Sequence, residues 1–205
     1  MTSSAATFPL GRPARIAVFA SGRGSNLASL LQAFPSDDPL GQVALVVVNV
    51  PGAPAADRAT DAGIAVRTIP WTRDEGDRAQ FEASVNGLLS DFGIDLVCLA
   101  GFMRILSAEF TERWRGRIVN VHPSLLPRHR GLHPQRRALQ AGDDESGCTI
   151  HAVDAGVDTG RILLQRRVAI EADDDEASLS QRILQEEHRA YPEAVRRLLQ
   201  GGFAS

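Results

Sequence analysis

Short apolar runs alternate with segments of helical periodicity along this chain, and this alternation constrains its fold more than any other feature. Near-continuous runs rich in β-branched residues are typical of parallel strands covered by helices on both faces. Helix-forming segments separate the runs four times, which predicts an α/β fold with a Rossmann-like, doubly wound, mostly parallel sheet flanked by helices. The runs are Arg15–Ala20, Val43–Val48, Ala65–Ile69, Asp95–Ala100 and Arg117–Val121.

The last part of the chain is expected to add an antiparallel strand and a terminal helix to the parallel strands. Gly147–Val153 predicts one more strand, and Ile162–Ile170 an antiparallel partner or edge strand. The acidic run Asp173–Glu176 favours the start of the last helix, because negative charge is stabilised at a helix N-terminus. Pro192 predicts that this helix, which we expect from Ala177, breaks and is followed by a short terminal helix.

Length and composition indicate one compact domain. A chain of 205 residues with 43% hydrophobic residues can bury a single sizeable core. Residues 1–14 are rich in Ser, Ala and Pro, and we expect a disordered or loosely held tail there. Residues 15–205 are then one domain with two halves, 15–100 and 101–205.

The net charge and the two cysteines limit which kinds of partner and which cellular compartment we expect. The net charge of −3 argues against a nucleic-acid surface or an anionic membrane partner. Cys98 and Cys148 lie far apart inside apolar runs and predict reduced core residues. Neither an 18-residue apolar span nor a signal peptide is evident, so we expect a cytoplasmic protein, monomeric or homodimeric.

Asn120 and His122 follow the fifth run in a pattern that indicates catalysis. Being two apart on a strand, they face the same side, and Pro123 ends the strand because it has no N–H to donate. Open α/β sheets bind ligands at the carboxyl ends of their strands. A side-chain amide can stabilise an oxyanion, and an imidazole can carry a proton, so the pair suggests transfer at a carbonyl-like carbon. The alternative is a strand end with a Pro-rich turn.

The stretch Ser21-Gly-Arg-Gly-Ser-Asn26 lies between the first run and apolar residues at helical spacing. A strand, a glycine turn and a helix present free N–H groups and a positive dipole end to a phosphate. The stretch is neither a Walker loop nor a dinucleotide fingerprint, since no Lys-Ser/Thr pair and no third glycine follow. A tight turn with a Ser/Asn cap remains the alternative on this pattern alone.

The motif Asn120-x-His122-Pro-Ser-Leu-Leu-Pro, followed by Gly131-Leu-His133 and Asp158-x-Gly160, resembles that of the folate-dependent formyltransferases. It is most similar to the branch that formylates phosphoribosylglycinamide in purine biosynthesis, and the similarity covers nearly the whole chain. The resemblance implies the formyltransferase fold, with a nucleotide-binding first half and a folate-binding and catalytic second half. It further implies 10-formyltetrahydrofolate as co-substrate, glycinamide ribonucleotide as acceptor and no metal.

The resemblance also assigns roles to residues. The implied catalytic residues are Asn120, His122 and Asp158. The implied ribonucleotide residues are Gly24, Ser25 and Asn26 for the phosphate and Glu187 for the ribose. The implied folate residues are Arg78, Met103, Arg104, Ile105, Leu106, Asn120, Asp154 and Asp158.

Two of these residues have simpler interpretations when taken alone. Asp158 could be only a turn former, and Glu187 only part of a solvated helix face. If the loop around Asp158 folds over the end of the strand, its carboxylate raises the pKa of His122, and protonated His122 stabilises the oxyanion with Asn120. We expect His129, His133 and His151 to be structural.

The sequence departs from the nearest branch at Arg130, Pro134 and Gln135, where the pattern is more similar to methionyl-tRNA formyltransferases. Such an enzyme would need a further C-terminal domain, and a formyltetrahydrofolate hydrolase an N-terminal regulatory domain. We expect neither in this sequence. A non-catalytic nucleotide- or folate-binding module is the alternative from another class, and the combination of Asn120, His122 and Asp158 argues against it.

Overall fold

A single seven-stranded sheet organises the computed structural model, which describes residues 8–71 and 75–202. The strands are β1 (Ala14–Ala20), β2 (Gly41–Val48), β3 (Ala65–Thr68), β4 (Leu96–Leu99), β5 (Ile118–His122), β6 (Glu145–Ala152) and β7 (Ile162–Ala169). Their order is β3-β2-β1-β4-β5-β6-β7. The first five pair in parallel, whereas β6 and β7 are antiparallel. The predicted α/β class with a mostly parallel sheet is confirmed.

Helices cover both faces of this sheet. They are α1 (Ser25–Ala33), α2 (Pro54–Asp61), α3 (Glu75–Asp91), α4 (Ala108–Arg113), α5 (Pro134–Ala141) and α6 (Glu176–Leu199). Successive residues of β1 point to opposite faces, so Val18 packs in one apolar cluster with α1, α2 and α6. Phe19 packs in the other, with Phe81 of α3 and Trp114 after α4. This two-sided burial explains why the parallel strands have near-continuous apolar sequences.

The last helix is one continuous element, and the predicted break at Pro192 is wrong. Asp175 caps its N-terminus and forms a capping box with Ser178, as the acidic run predicted. A proline inside a helix costs about 3 kcal/mol, but burial of each large apolar side chain recovers about 1.5 to 3 kcal/mol. Val195 and Leu199, both buried beyond the proline, therefore outweigh it.

Tyr191 joins α6 to the middle of the sheet. Its ring is completely buried, and its hydroxyl oxygen lies 3.0 Å from the carbonyl oxygens of both Leu99 and Val119. These two carbonyls belong to the neighbouring strands β4 and β5. The helix is thus held against the strands that end at the candidate site.

Part of the predicted N-terminal tail packs against the domain. Phe8 and Leu10 contact the apolar cluster under α6, and both terminal nitrogens of Arg12 lie 2.8 Å from the carboxylate of Asp95. Residues 1–7, the rest of that predicted tail, lie outside the described residues. Within the described ranges, no helix combines the length and the apolar character needed to cross a membrane.

Candidate active site

The carboxyl ends of three parallel strands are tied together by Ser21. Its hydroxyl donates to Asn49 Oδ1 at 2.6 Å, just beyond β2, and accepts the Met103 N–H at 2.8 Å, just beyond β4. The loops that leave these strands therefore start from fixed positions. They surround the end of β5, where the predicted catalytic residues begin.

Asn120 and His151 face each other across β5 and β6. They are direct register partners, and Asn120 Nδ2 lies 3.2 Å from His151 Nε2. Since His151 Nδ1 lies 2.9 Å from the Ala152 carbonyl oxygen, which can only accept, the neutral ring accepts the amide hydrogen of Asn120 at Nε2. One hydrogen of the Asn120 amide then remains for another acceptor.

His151 is the residue that the sequence analysis missed. It is a sheet residue, as predicted, but it lies inside the catalytic cluster rather than away from it. Its position follows from the antiparallel register of β6, which the local sequence does not specify. An alternating strand pattern places a side chain on a face but not opposite a particular partner.

His122 is 6% exposed and lies between two acceptors. Its Nε2 is 3.0 Å from the carbonyl oxygen of His129, and its Nδ1 is 3.3 Å from Asp158 Oδ2. Burial lowers the pKa of His122 below its ordinary value, although the His129 carbonyl and Asp158 act in the opposite direction. Asp158 thus raises this pKa, as expected, but burial outweighs it, so the net shift is downward and favours the neutral ring in the free protein.

Asp158 remains ionised in the same cluster. Burial would raise its pKa, but the contact with His151, the backbone N–H of Gly131 and the proximity of His122 together lower it. The Gly131 N–H donates to Oδ2 at 2.8 Å, and His151 Nε2 lies 3.6 Å from Oδ1. The structure thus brings Asn120, His122 and Asp158 together.

The loop that carries Asp158 has its own internal contacts. Asp154 Oδ1 accepts the Gly156 N–H at 3.0 Å and the Thr159 hydroxyl at 2.6 Å. A Cβ at Gly160 would lie 1.8 Å from the Ala152 carbonyl oxygen, so only glycine fits there. These contacts explain how Asp158 is held with φ of 52°, in the left-handed region.

The predicted ribonucleotide residues also meet in space. Gly24 is the N-cap of α1 with φ of 73°, and a Cβ there would approach Ala55 to 2.9 Å. No side chain caps this N-terminus within the described part of the chain. Asn26 Nδ2 donates to Glu187 Oε2 at 2.6 Å, although 161 residues separate them. Burial raises the pKa of Glu187 to about 7, against the effect of the Asn26 hydrogen bond.

The predicted folate segment is apolar and largely open to solvent. Met103 and Ile105 are 65% and 62% exposed, whereas Leu106 is buried. The guanidinium of Arg104 donates to the Trp71 carbonyl oxygen at 3.0 Å, which fixes the segment from below. Arg78 lies exposed on α3, and no hydrogen bond or ion pair in the described part of the chain joins it to this segment.

Large exposed apolar side chains concentrate around the catalytic cluster. Met103 and Ile105 follow β4, Leu132 follows the glycine that contacts Asp158, and Val157 precedes Asp158. These side chains therefore offer exposed apolar surface beside the polar groups of Asn120, His122 and Asp158.

The three positions that were expected to depart from the family pattern, Arg130, Pro134 and Gln135, lie in one loop and the start of α5. The Arg130 carbonyl oxygen accepts from Arg137 Nη1 at 2.5 Å, and Pro134 occupies the first turn of α5, which suits a residue without an N–H. His133 is the N-cap of α5 with φ of 55°. Gln135, half-buried in α5, completes this set.

No residues are arranged for metal or thiol chemistry in the ranges 8–71 and 75–202. No group of three or more His, Cys, Asp or Glu side chains there could hold a metal ion. Cys98 and Cys148 are free and buried, and burial raises the pKa of each thiol to about 12. Both are therefore protonated at neutral pH.

Comparison with known proteins connects this site to one family. A family model described as formyl transferase matches residues 14–195. The phosphoribosylglycinamide formyltransferase of Escherichia coli (strain K12) is 38% identical over 177 residues, which cover 86% of this chain and 83% of that protein. The crystal structure of glycinamide ribonucleotide transformylase 1 from Symbiobacterium toebii matches with a TM-score of 0.85 and 38% identity, covering 97% of this chain and 94% of that one.

A longer relative shows higher identity. The trifunctional purine biosynthetic protein adenosine-3 of Drosophila melanogaster is 50% identical over 193 residues, or 93% of this chain. This chain spans only 14% of the length of that protein.

Proposed function

This chain belongs to the formyl transferase family, and from that premise we propose that it transfers the formyl group of 10-formyltetrahydrofolate to the amine of 5'-phosphoribosylglycinamide. The observation that carries the proposal is the cluster of Asn120, His122 and Asp158 at the end of β5. A loop suited to phosphate and an exposed apolar segment flank that cluster. The relatives named for this reaction, which serves purine biosynthesis, support the choice of substrates.

His122 moves the proton in the proposed reaction. The amine of the acceptor attacks the formyl carbon, a C–N bond forms, and the carbonyl oxygen becomes an oxyanion. Neutral His122 takes the ammonium proton at Nδ1 and delivers it to the folate nitrogen as the old C–N bond breaks. Asp158, 3.3 Å away, stabilises the transient imidazolium. Such general acid–base catalysis contributes about 10²- to 10⁴-fold.

Asn120 stabilises the oxyanion. Its amide is oriented by His151 and retains one hydrogen for the oxyanion. A donor of this kind typically contributes about 10²- to 10³-fold. The positive charge on the His122 imidazole arises only during the reaction. Its stabilisation by Asp158 is therefore greatest in the transition state, where it accelerates the reaction.

The ribonucleotide occupies the end of the cleft near α1. The uncapped amides of Gly24, Ser25 and Asn26 hold its phosphate, as helix N-termini do. Glu187 accepts hydrogen bonds from the two ribose hydroxyls, because a carboxylate has several acceptor sites. Residues 15–100 supply the phosphate loop of this substrate.

The folate lies over the apolar end of the cleft. Its ring packs on the segment Met103–Leu106 and under the loop of Asp154 and Asp158, while Arg78 meets its carboxylate tail. An apolar slot lined by backbone polar groups suits a heteroaromatic ring. Residues 101–205 form this folate-binding and catalytic half. The proposed partners are small molecules without a metal, and the cytoplasmic location and the monomeric or dimeric state stay predictions.

The test is acceptor dependence. Purified protein is given 10-formyltetrahydrofolate with and without the ribonucleotide, and the release of tetrahydrofolate is followed. We expect turnover only with the ribonucleotide, and at least a 10²-fold loss in His122→Ala. Turnover with water alone indicates a hydrolase instead. Bound folate without turnover in either tube indicates a binding module.

A further inference from the structure

His129 contacts both Asp143 and His122, and the proposed mechanism gives neither contact a role. Its Nε2 lies 2.7 Å from Asp143 Oδ2, and the two side chains are only 14% and 19% exposed. Its backbone carbonyl oxygen lies 3.0 Å from His122 Nε2. One residue thus connects the end of α5 with the catalytic imidazole, through its side chain on one side and its main chain on the other.

The Asp143 end of this connection is fixed. Asp143 follows Gly142, the left-handed C-cap of α5, and its N–H donates to the Ala138 carbonyl oxygen at 3.2 Å. His129 itself has φ of 53°. This conformation costs a non-glycine residue roughly 1 to 2 kcal/mol. A contact that holds His129 in place is therefore needed to keep its carbonyl pointed at His122.

Other contacts hold the loop on either side of His129. The Ser124 hydroxyl donates to the Arg128 carbonyl oxygen at 2.7 Å, and the Gly131 N–H donates to Asp158. Loss of the His129 side chain would therefore leave the loop in place. Without that side chain, however, the peptide group of His129, whose carbonyl oxygen contacts His122, would no longer be held in one orientation.

We propose that His129 and Asp143 are a positioning pair that keeps the proton of neutral His122 on Nε2. With Nε2–H donated to the fixed carbonyl, Nδ1 is left unprotonated beside Asp158 and open to the attacking amine. The pair does not require a charged imidazole, since a neutral His129 can donate its Nε2–H to the carboxylate. This inference rests on the proposed function for its kinetic consequence, but its structural consequence can be measured without turnover.

The kinetic test uses His129→Asn and Asp143→Ala, alone and combined. Asparagine tolerates the left-handed conformation but is too short to reach Asp143. Because a misoriented catalytic group is costly, each single variant should lower kcat about tenfold with little change in KM. The double variant should lose no more than either single one, as expected for residues that act as a unit. If instead the loss of kcat in the double variant is the product of the two single losses, the proposal is wrong.

Two further variants control for general damage to the loop. His133→Asn replaces the other left-handed histidine of the loop. Its side chain has no hydrogen bond or ion pair among the residues that the structure describes, so kcat should be unchanged. Asp143→Asn keeps an acceptor oxygen for His129 and should retain most of the activity. A tenfold loss of kcat in His133→Asn would show that any change in this loop impairs the enzyme, and it would contradict a specific role for the pair of His129 and Asp143.

The independent readout is the tautomer of His122, followed by ¹⁵N NMR of the imidazole in the free protein. The groups that face this ring are Asp158, His151 and Arg137 besides His129. The wild type should show hydrogen on Nε2, and His129→Asn a mixture of both tautomers. An unchanged tautomer in His129→Asn overturns the proposal. A wild type that shows the Nε2–H form yet transfers no formyl group contradicts the proposed function and leaves the pair standing.

Discussion

Two carboxyl groups lie in the proposed cleft, the half-buried Asp158 and the buried Glu187, and their pKa values are shifted in opposite directions. Asp158 has its pKa lowered, whereas the pKa of Glu187 is raised to about 7. Burial acts in the same sense on both. The difference has two sources: Glu187 is more deeply buried, and its carboxyl has the single amide of Asn26, whereas Asp158 lies beside His122, His151 and the Gly131 N–H.

The comparison shows that one site can hold a charged carboxyl and one that is partly protonated at neutral pH, depending on how deeply each is buried and on the groups around it. The charged group stands where a cation forms during the reaction. The partly protonated group stands where, in the free protein, no ligand yet supplies hydroxyl donors. A ribose that donates two hydrogen bonds would add donors to the Glu187 carboxyl and so favour its ionised form on binding.

Removing the charge of Asp158 should have the largest effect. Asp158→Asn leaves the Gly131 contact possible but takes away the stabilisation of the transient imidazolium. We expect kcat to fall about 10²- to 10³-fold, comparable with other electrostatic groups in active sites, with the KM values much less affected. Steady-state kinetics measures this. Asp154→Asn, in the same loop, should instead raise the KM for folate, and equal losses of kcat in both variants would contradict the assignment.

Making Glu187 neutral should stabilise the free protein. Its folded-state pKa of about 7 lies above the ordinary 4.5, so the native state keeps a proton that the unfolded chain releases between these values. Stability therefore falls as pH rises through that window, by roughly 3 kcal/mol. Glu187→Gln should recover this above pH 7 and make no difference near pH 4.5. Urea unfolding at both pH values measures it.

The matched control for that variant is Glu186→Gln. Glu186 is the preceding residue of α6 and forms an ion pair with Arg189 at the surface. Losing such a pair changes stability by at most about 1 kcal/mol, and without the same pH dependence. Equal pH profiles for both variants would show that Glu187 is ionised in the free protein. Glu187→Gln should also raise the KM for the ribonucleotide, as the carboxylate is lost.

A smaller change is expected at His151. His151→Phe preserves the shape of the ring but removes the acceptor of the Asn120 amide and one neighbour that lowers the pKa of Asp158. We expect kcat to fall about fivefold, in line with the loss of one hydrogen bond of about 1 kcal/mol. The pKa of Asp158, followed by ¹³C NMR of its carboxyl carbon, should rise. An unchanged pKa would mean that Gly131 and His122 alone keep Asp158 ionised.

The sheet could be predicted because its signals are local. The composition of Val43–Val48 and of the other apolar runs is enough to indicate buried parallel strands. The observed strand β2 begins at Gly41, only two residues before the predicted start. A helix was expected between the fourth and fifth runs, but the six-residue α4 was given no bounds, since it is too short for a periodic pattern. Pro192 gave a local signal that tertiary packing overrides.

The site was predictable in part. The motif around Asn120 and His122 led to residues that the structure does bring together with Asp158. The role of His151 was missed, because it depends on strand register. The net pKa shift of His122 was not predicted for a related reason: how deeply a ring is buried is a property of the whole fold, and that burial outweighs the neighbouring carboxylate.

The contact of Tyr191 with β4 and β5 has a consequence for the geometry between the two substrates. Glu187 precedes Tyr191 by four residues, about one turn or 6 Å along α6. The hydroxyl that holds α6 to the backbone of Val119 therefore also helps to set how far the Glu187 carboxyl stands from Asn120, one residue further along β5. A residue inserted between Glu187 and Tyr191 would turn the carboxyl by about 100° around the helix axis and away from the cleft. In the proposed complex, the spacing of these two residues along α6 would therefore fix where the ribose of the acceptor binds relative to Asn120.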